Sequence, residues 1–151
     1  MENRTFTYKL TIKEHHLDTF GHVNNATYLQ LYEEARWQLI TDNGYGLSTV
    51  REKQQGPIIL EANLRFMREL RLRQEITIHS QTIEYSAKVG TIKQWMTDAN
   101  GNICSEVVMK FGLFDTKNRK IIPATKEWLA AITWVKYQRT QLAGDVNSPC
   151  K

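Results

Sequence analysis

Asn24-Asn25-Ala26-Thr27-Tyr28-Leu29-Gln30-Leu31-Tyr32-Glu33-Glu34-Ala35-Arg36-Trp37-Gln38-Leu39-Ile40, running on to Asn43-Gly44, is the stretch whose reading decides the fold. Tyr28, Leu31, Tyr32, Ala35 and Leu39 recur at the three- and four-residue steps that place side chains on one face of a helix. Asn24 or Asn25 suits the amino-terminal cap, because a short amide side chain accepts from an N–H that the first turn leaves unpaired. Gly44 suits the stop, since glycine enters the left-handed conformation common after a helix end without steric cost. Leu29, Trp37 and Ile40 carry apolar surface beyond the main stripe. A helix apolar over so much of its girth is expected to be wrapped by other structure.

Outward from this helix the period drops to two. Upstream, Phe6, Tyr8, Leu10 and Ile12 alternate with threonines and Lys9, the pattern of a half-buried strand. Residues 13–23 form a polar loop bending at Gly21. Downstream, beyond a loop reaching Gly56-Pro57, Leu60, Ala62, Leu64 and Phe66 define one face of a second strand. Residues 75–83 and 91–97 read as the third and fourth, and the alternation from Ile103 to Leu113 as a long fifth. Asp98-Ala99-Asn100-Gly101 is a hairpin signal, because Asn-Gly accepts positive φ. Thr125 could cap a terminal helix with Trp128, Ile132 and Val135 on one face. Strands segregated from helices predict an α+β fold: a curved antiparallel sheet of about five strands around one long central helix, plus a short C-terminal helix.

The whole chain of 151 residues fits one domain, expected over residues 1–143, with a polar tail over 144–151. The start lacks the apolar core of a signal peptide. The longest apolar run, Trp128 to Ile132, falls far short of the roughly 20 residues of a membrane span, so a soluble, cytoplasmic protein is expected. Cys104 and Cys150 read as two reduced thiols rather than a disulfide framework. A net charge of +4, from 20 basic and 16 acidic side chains, permits an anionic ligand without demanding nucleic acid.

Chemistry concentrates between His15 and Arg36. Asp18 lies in a loop shortly before the helix start, with Gly21 between them. Free N–H groups at a helix start can hold a carbonyl oxygen or an oxyanion, and the helix dipole assists. A carboxylate folded over that terminus can act on the same carbonyl as base or nucleophile. The run from Asp18 through Gly21-His22-Val23-Asn24-Asn25 to Tyr28, followed by Glu33-Glu34-Ala35-Arg36, resembles the signature of the 4-hydroxybenzoyl-CoA thioesterase branch of hotdog-fold proteins. The resemblance implies hydrolysis of an acyl-CoA thioester, with Asp18 as catalytic carboxylate and the backbone N–H of Asn25 as oxyanion donor. Asn24 and Tyr28 fall in the substrate-contacting part of the motif, as does His22, which reads first as fixing the loop and second as a substrate contact. It also implies no metal, no bound cofactor, and a homodimer or homotetramer with its site at a subunit interface. A sister branch carries its carboxylate two turns into the helix, where this chain has Glu33. One departure is the pair His15-His16, standing where many members have an acidic, hydroxyl or aromatic group.

Other readings stay open beside this one. Acyl groups on a carrier protein, an enoyl-thioester hydratase and a non-catalytic acyl-CoA sensor are all compatible with the scaffold. His22 lies close enough to Asp18 for the hydratase reading, although the proline usual before that histidine is missing. The histidines and Asp18 match no zinc spacing. Arg65, Arg68, Arg71 and Arg73 form a basic run, read either as a solvated face or, through Arg65 and Arg68, as a landing site for coenzyme A phosphates.

Overall fold

The computed structural model describes residues 4–132. β1 (Thr5–Thr11) leads through a 3₁₀ turn at Glu14–His16 to α1 (Asn25–Asp42) and then α2 (Leu47–Lys53). β2 (Gln55–Phe66), β3 (Glu75–Ser86), β4 (Val89–Thr97), β5 (Ile103–Asp115) and β6 (Lys120–Ile122) follow, and α3 (Lys126–Ala131) closes the described chain. All pairings are antiparallel, in the order β1-β3-β4-β5-β2, and the short β6 pairs with the end of β5. Among the described residues β1 and β2 are therefore the edges of this path.

α1 lies across one face of the sheet. Asn24 is its N-cap, its side chain accepting from Ala26 N–H at 2.8 Å, and Gly44 follows its end at φ +85°. The helix buries Tyr28, Leu31, Tyr32, Ala35, Leu39 and Ile40 against Ile78, Ile92, Met96, Val107, Met109 and Leu113 of the strands. Its other side remains open: Leu29, Gln30, Glu33, Glu34 and Gln38 are exposed. The curved sheet wraps the buried face of the helix, as expected, and leaves the opposite face to solvent.

A buried polar seam fixes the helix in register on the sheet. Tyr32 donates to Ser105 Oγ at 2.9 Å, and Ser105 donates to the carbonyl of Arg65 at 2.9 Å. Gln94 Nε2 donates to Ser80 Oγ and to the Tyr32 carbonyl, at 2.9 and 3.1 Å. Burial pushes the Tyr32 hydroxyl well above its ordinary pKa, so it stays a neutral donor. Such a seam is satisfied at one setting of the helix, and sliding the helix would orphan several groups at once.

Three elements differ from the expectations. β2 starts at Gln55, and it carries a bulge between Ile59 and Glu61. The extra residue, Leu60, breaks the alternation, so Ile59 shares the helix-facing side with Ala62, Leu64 and Phe66 while Leu60 is left exposed at the edge. The face predicted through Leu60 is thereby corrected. α2 occupies part of the expected loop; it buries no residue fully and lacks a side-chain cap, so nothing in its sequence announces it. β6 is three residues long, too short for a period to show. Thr125 caps α3 as expected, its side chain accepting from Trp128 N–H at 3.2 Å, and Trp128 is fully buried. Val135, Trp134, Cys150 and the tail lie outside the described residues. Among those described, no helix is long and apolar enough to cross a membrane.

Candidate active site

The loop before α1 is a small closed ring. Leu17 and Val23 bridge its base, Asp18 N–H donates to the His22 carbonyl at 2.9 Å, and Gly21 N–H donates back to the Asp18 carbonyl at 3.0 Å. The reversal requires φ +80° at Gly21, a conformation open to glycine. Asp18 Oδ1 accepts from Phe20 N–H at 2.9 Å and His22 N–H at 3.1 Å. Among the described residues Oδ2 has no donor, and the side chain faces solvent.

The helix start lies immediately beyond this ring. An α-helix leaves its first four N–H groups without intrahelical acceptors. Here Ala26 N–H goes to the Asn24 side chain, and Thr27 and Tyr28 N–H go to the Asn24 carbonyl at 3.0 and 3.4 Å. Asn25 N–H has no acceptor among the described residues. One donor at the positive end of the helix dipole is therefore open, beside a loop presenting one free carboxylate oxygen.

The β2–β3 connection closes over the same end. Phe66 meets the buried Tyr28 edge-on, with ring centroids 4.9 Å apart, and burial raises the Tyr28 hydroxyl pKa. His22 Nε2 lies 3.2 Å from Glu69 Oε1, tying the Asp18 loop to that connection. Arg73 makes a forked bond to Glu14, at 2.7 and 2.8 Å from one nitrogen, which joins the 3₁₀ turn to it as well. Glu14 is held below the usual carboxylate range by a bond from its own backbone and by Arg73. His16 Nδ1 accepts from Lys13 N–H at 2.9 Å; burial lowers the His16 pKa, and the neighbouring His15 adds to this.

The predicted residues divide into groups. Asp18, His22, Asn24, Asn25 and Tyr28 come together at the helix start. Glu33 is eight residues on, about 12 Å along the axis at 1.5 Å per residue, on the open side of the helix. Arg68 lines a polar cavity of about 430 Å³ together with Arg71, Glu69, Asn102 and Cys104. Arg65 points to the opposite face of the sheet from α1, where it pairs with Glu106 at 3.5 Å; strand alternation puts it on the other side from Phe66. Arg65 is thus set apart from Arg68. Glu69 was not singled out from sequence, because its partner His22 is 47 positions away and no local pattern links them. Among the described residues, no three His, Cys, Asp or Glu side chains gather into a cation site.

Residues 12–132, which include every element just described from the Asp18 loop onward, match the thioesterase-like superfamily. The chain is a member of that family. One similar relative is the long-chain acyl-CoA thioesterase FadM of Escherichia coli, 28% identical over 115 residues, covering 76% of this chain and 86% of FadM. The probable thioesterase YbaW of Escherichia coli superposes with a TM-score of 0.73 at 25% identity, covering 84% of this chain and 98% of that one. A Staphylococcus aureus hypothetical protein solved in complex with CoA superposes at TM-score 0.78 and 18% identity, over 100% of this chain and 90% of that one, which shows the shared fold. The thioesterase-like fold accounts for the sheet order and for the single long helix laid on it. The loop that carries Asp18 falls inside the matched span.

Proposed function

We propose that this protein hydrolyses acyl-CoA thioesters at the amino end of α1. The observation that carries the reading is that, among the described residues, Asn25 N–H lacks an acceptor at the helix start while Asp18, in the loop leading into it, has Oδ1 engaged and Oδ2 without a donor. The family membership and the activity named for FadM support the same chemistry. The thioester carbonyl oxygen sits on Asn25 N–H, which stabilises the charge that develops there. Asp18 Oδ2 attacks the carbonyl carbon or takes a proton from an attacking water. When water is the attacker, the C–S bond breaks, the thiol of coenzyme A leaves with a proton and the acyl group departs as a carboxylic acid; after direct attack the same bond breaks to leave a mixed anhydride on Asp18, which a water then hydrolyses to the acid. One donor of this kind contributes about 10²–10³ in rate.

Supporting groups follow from their positions. Asn24 shapes the helix start, Tyr28 walls it, and His22 anchors the loop through Glu69. Arg68 and Arg71 offer basic partners for coenzyme A phosphates; Arg65, on the far face, is a poorer candidate than its sequence position suggested. Glu33 stands about two turns from the proposed reaction centre. A second copy of the chain is expected along β2, whose edge, unpaired among the described residues, exposes Leu60 and Phe66, with Met67 exposed just beyond it. A cytoplasmic setting suits an enzyme acting on acyl-CoA.

The test is thiol release from a panel of acyl-CoA esters by the parent and by Asp18→Asn, with folding verified by circular dichroism. A loss of about 10²-fold or more is expected, the scale of a lost transition-state stabiliser. Equal hydrolysis by both would remove Asp18 from the chemistry and turn attention to Glu33. Hydrolysis of no ester by the parent would overturn the assignment.

A further inference from the structure

The open side of α1 forms one wall of a groove. Along the helix, Leu29, Glu33 and Trp37 follow at four-residue steps and so lie in one row from the first turn towards Ile40. Opposite them runs the helix-facing row of β2, from Phe66 beside Tyr28 through Leu64 and Ala62 to Ile59. Phe66 is 49% exposed and Ile59 37%, so both ends of the strand row reach solvent, and Glu33 is the one charged side chain among the residues of the two rows. The groove ends in a cavity of about 100 Å³ between α1, the sheet and α3, walled by Trp37, Ile40, Ile59, Ile92, Phe111 and Trp128.

Two charged side chains break the apolar lining of that cavity, Glu33 and Arg36. Arg36 Nη1 donates to Gln94 Oε1 at 2.9 Å and to Met109 Sδ at 3.2 Å, both neutral acceptors. No carboxylate lies within ion-pair distance of it among the described residues. A guanidinium carries five N–H donors, and the remainder, on Nε and Nη2, find no acceptor there. Burial lowers the Arg36 pKa to about 10, against a weak opposing pull from Glu33. Arg36 is half-buried, and a cation partly withdrawn from water and short of acceptors carries a cost that an oxygen brought into the cavity would relieve.

Resting on the thioesterase reading, we propose that the groove and cavity hold the acyl group, and that Arg36 selects acyl chains bearing an oxygen acceptor at their far end. Arg36 follows Asn25 by eleven residues, about 16 Å along the axis. With bonds of about 1.5 Å in a zigzag, a straight chain of roughly a dozen carbons covers that distance from a carbonyl held on Asn25 N–H. The substrate class is a medium-to-long aliphatic acyl thioester with a terminal hydroxyl, oxo or carboxylate group. Plain chains enter the groove but leave the guanidinium donors unfilled.

The experiment compares kcat/KM for butanoyl-CoA, dodecanoyl-CoA and 12-hydroxydodecanoyl-CoA. The parent is expected to favour the hydroxylated ester over dodecanoyl-CoA by about tenfold, the scale of one hydrogen bond to a charged donor. Arg36→Met should abolish that preference while the ratio of dodecanoyl to butanoyl turnover holds. Because Arg36→Met disturbs a half-buried position, Ile59→Trp at the exposed rim provides a second probe; it should lower the ratio of either long ester to butanoyl-CoA. Equal turnover of hydroxylated and plain chains by the parent overturns the inference and leaves the thioesterase intact. So does a long-chain preference indifferent to Ile59→Trp. Turnover of none of the three sinks both.

Discussion

At the scale of single residues, Asn24 does more than its neighbours. Its side chain and its carbonyl together occupy three N–H groups of the first turn, and the donor they leave over is the one assigned to the substrate. Asn24→Ala should therefore cost about 1 kcal/mol of stability, the usual worth of a side-chain cap. Urea denaturation measures it, and an unchanged midpoint would show that the cap is dispensable. The cap was legible in the sequence to within one position, because asparagine before an apolar helical stripe has few other uses. The fate of the Asp18 oxygens was not. Which lone pair is occupied depends on the turn at Gly21, and that turn is settled by the whole ring from Leu17 to Val23.

At the scale of elements, the strands declare themselves where one face is buried and mislead where neither is. β3, β4 and β5 alternate cleanly and were placed to within a few residues. β2 is an edge strand whose residues from Ile59 to Phe66 are mostly exposed, so its apolar side chains carry little information about facing, and a single bulge reverses the phase. The outer face of β3 and β4 holds a different device. His79 stacks on Trp95 with ring centroids 5.0 Å apart and an interplanar angle of 7°, while its Nε2 meets Thr97 Oγ1 at 2.9 Å. Burial there pushes the imidazole below its ordinary value of 6.5. The folded state then binds this proton less readily than the unfolded state, so the stability tied to neutral His79 is full above pH 6.5 and is lost as pH falls below it. Denaturation midpoints at pH 7.5 and 5.5 should fall between the two, and less so in His79→Gln. An equal fall in both proteins would place the sensitivity elsewhere.

At the scale of the molecule, the long helix laid on the sheet leaves the proposed catalytic end open, and the proposed second copy would cover it along β2. Leu60, the bulged residue, is 43% exposed at that edge. Leu60→Glu should shift sedimentation from dimer towards monomer and lower turnover with it, because like charges would face each other across a two-fold axis. A parent that sediments as a monomer with full activity would contradict the shared site. The helix pattern, the strand count within one and the Asp18 motif could be read from the chain, since each depends on local spacing. The ties between Glu69 and His22, between Arg36 and Gln94, and along the groove could not, because they join residues that only the folded sheet brings together.

The two borders of the sheet are unlike. β1 is seven residues of threonine and lysine alternating with a half-buried row, and Tyr8 on it is drawn inward by its bond to Glu34 at 2.7 Å. β2 is twelve residues long and bears exposed apolar side chains. A sheet adhesive at both borders would recruit copy after copy into a fibre, whereas one adhesive border is used up by a single encounter. In the proposed dimer the plainness of β1 is thus what would let assembly stop, and keep a long, greasy strand from becoming a seed for aggregation.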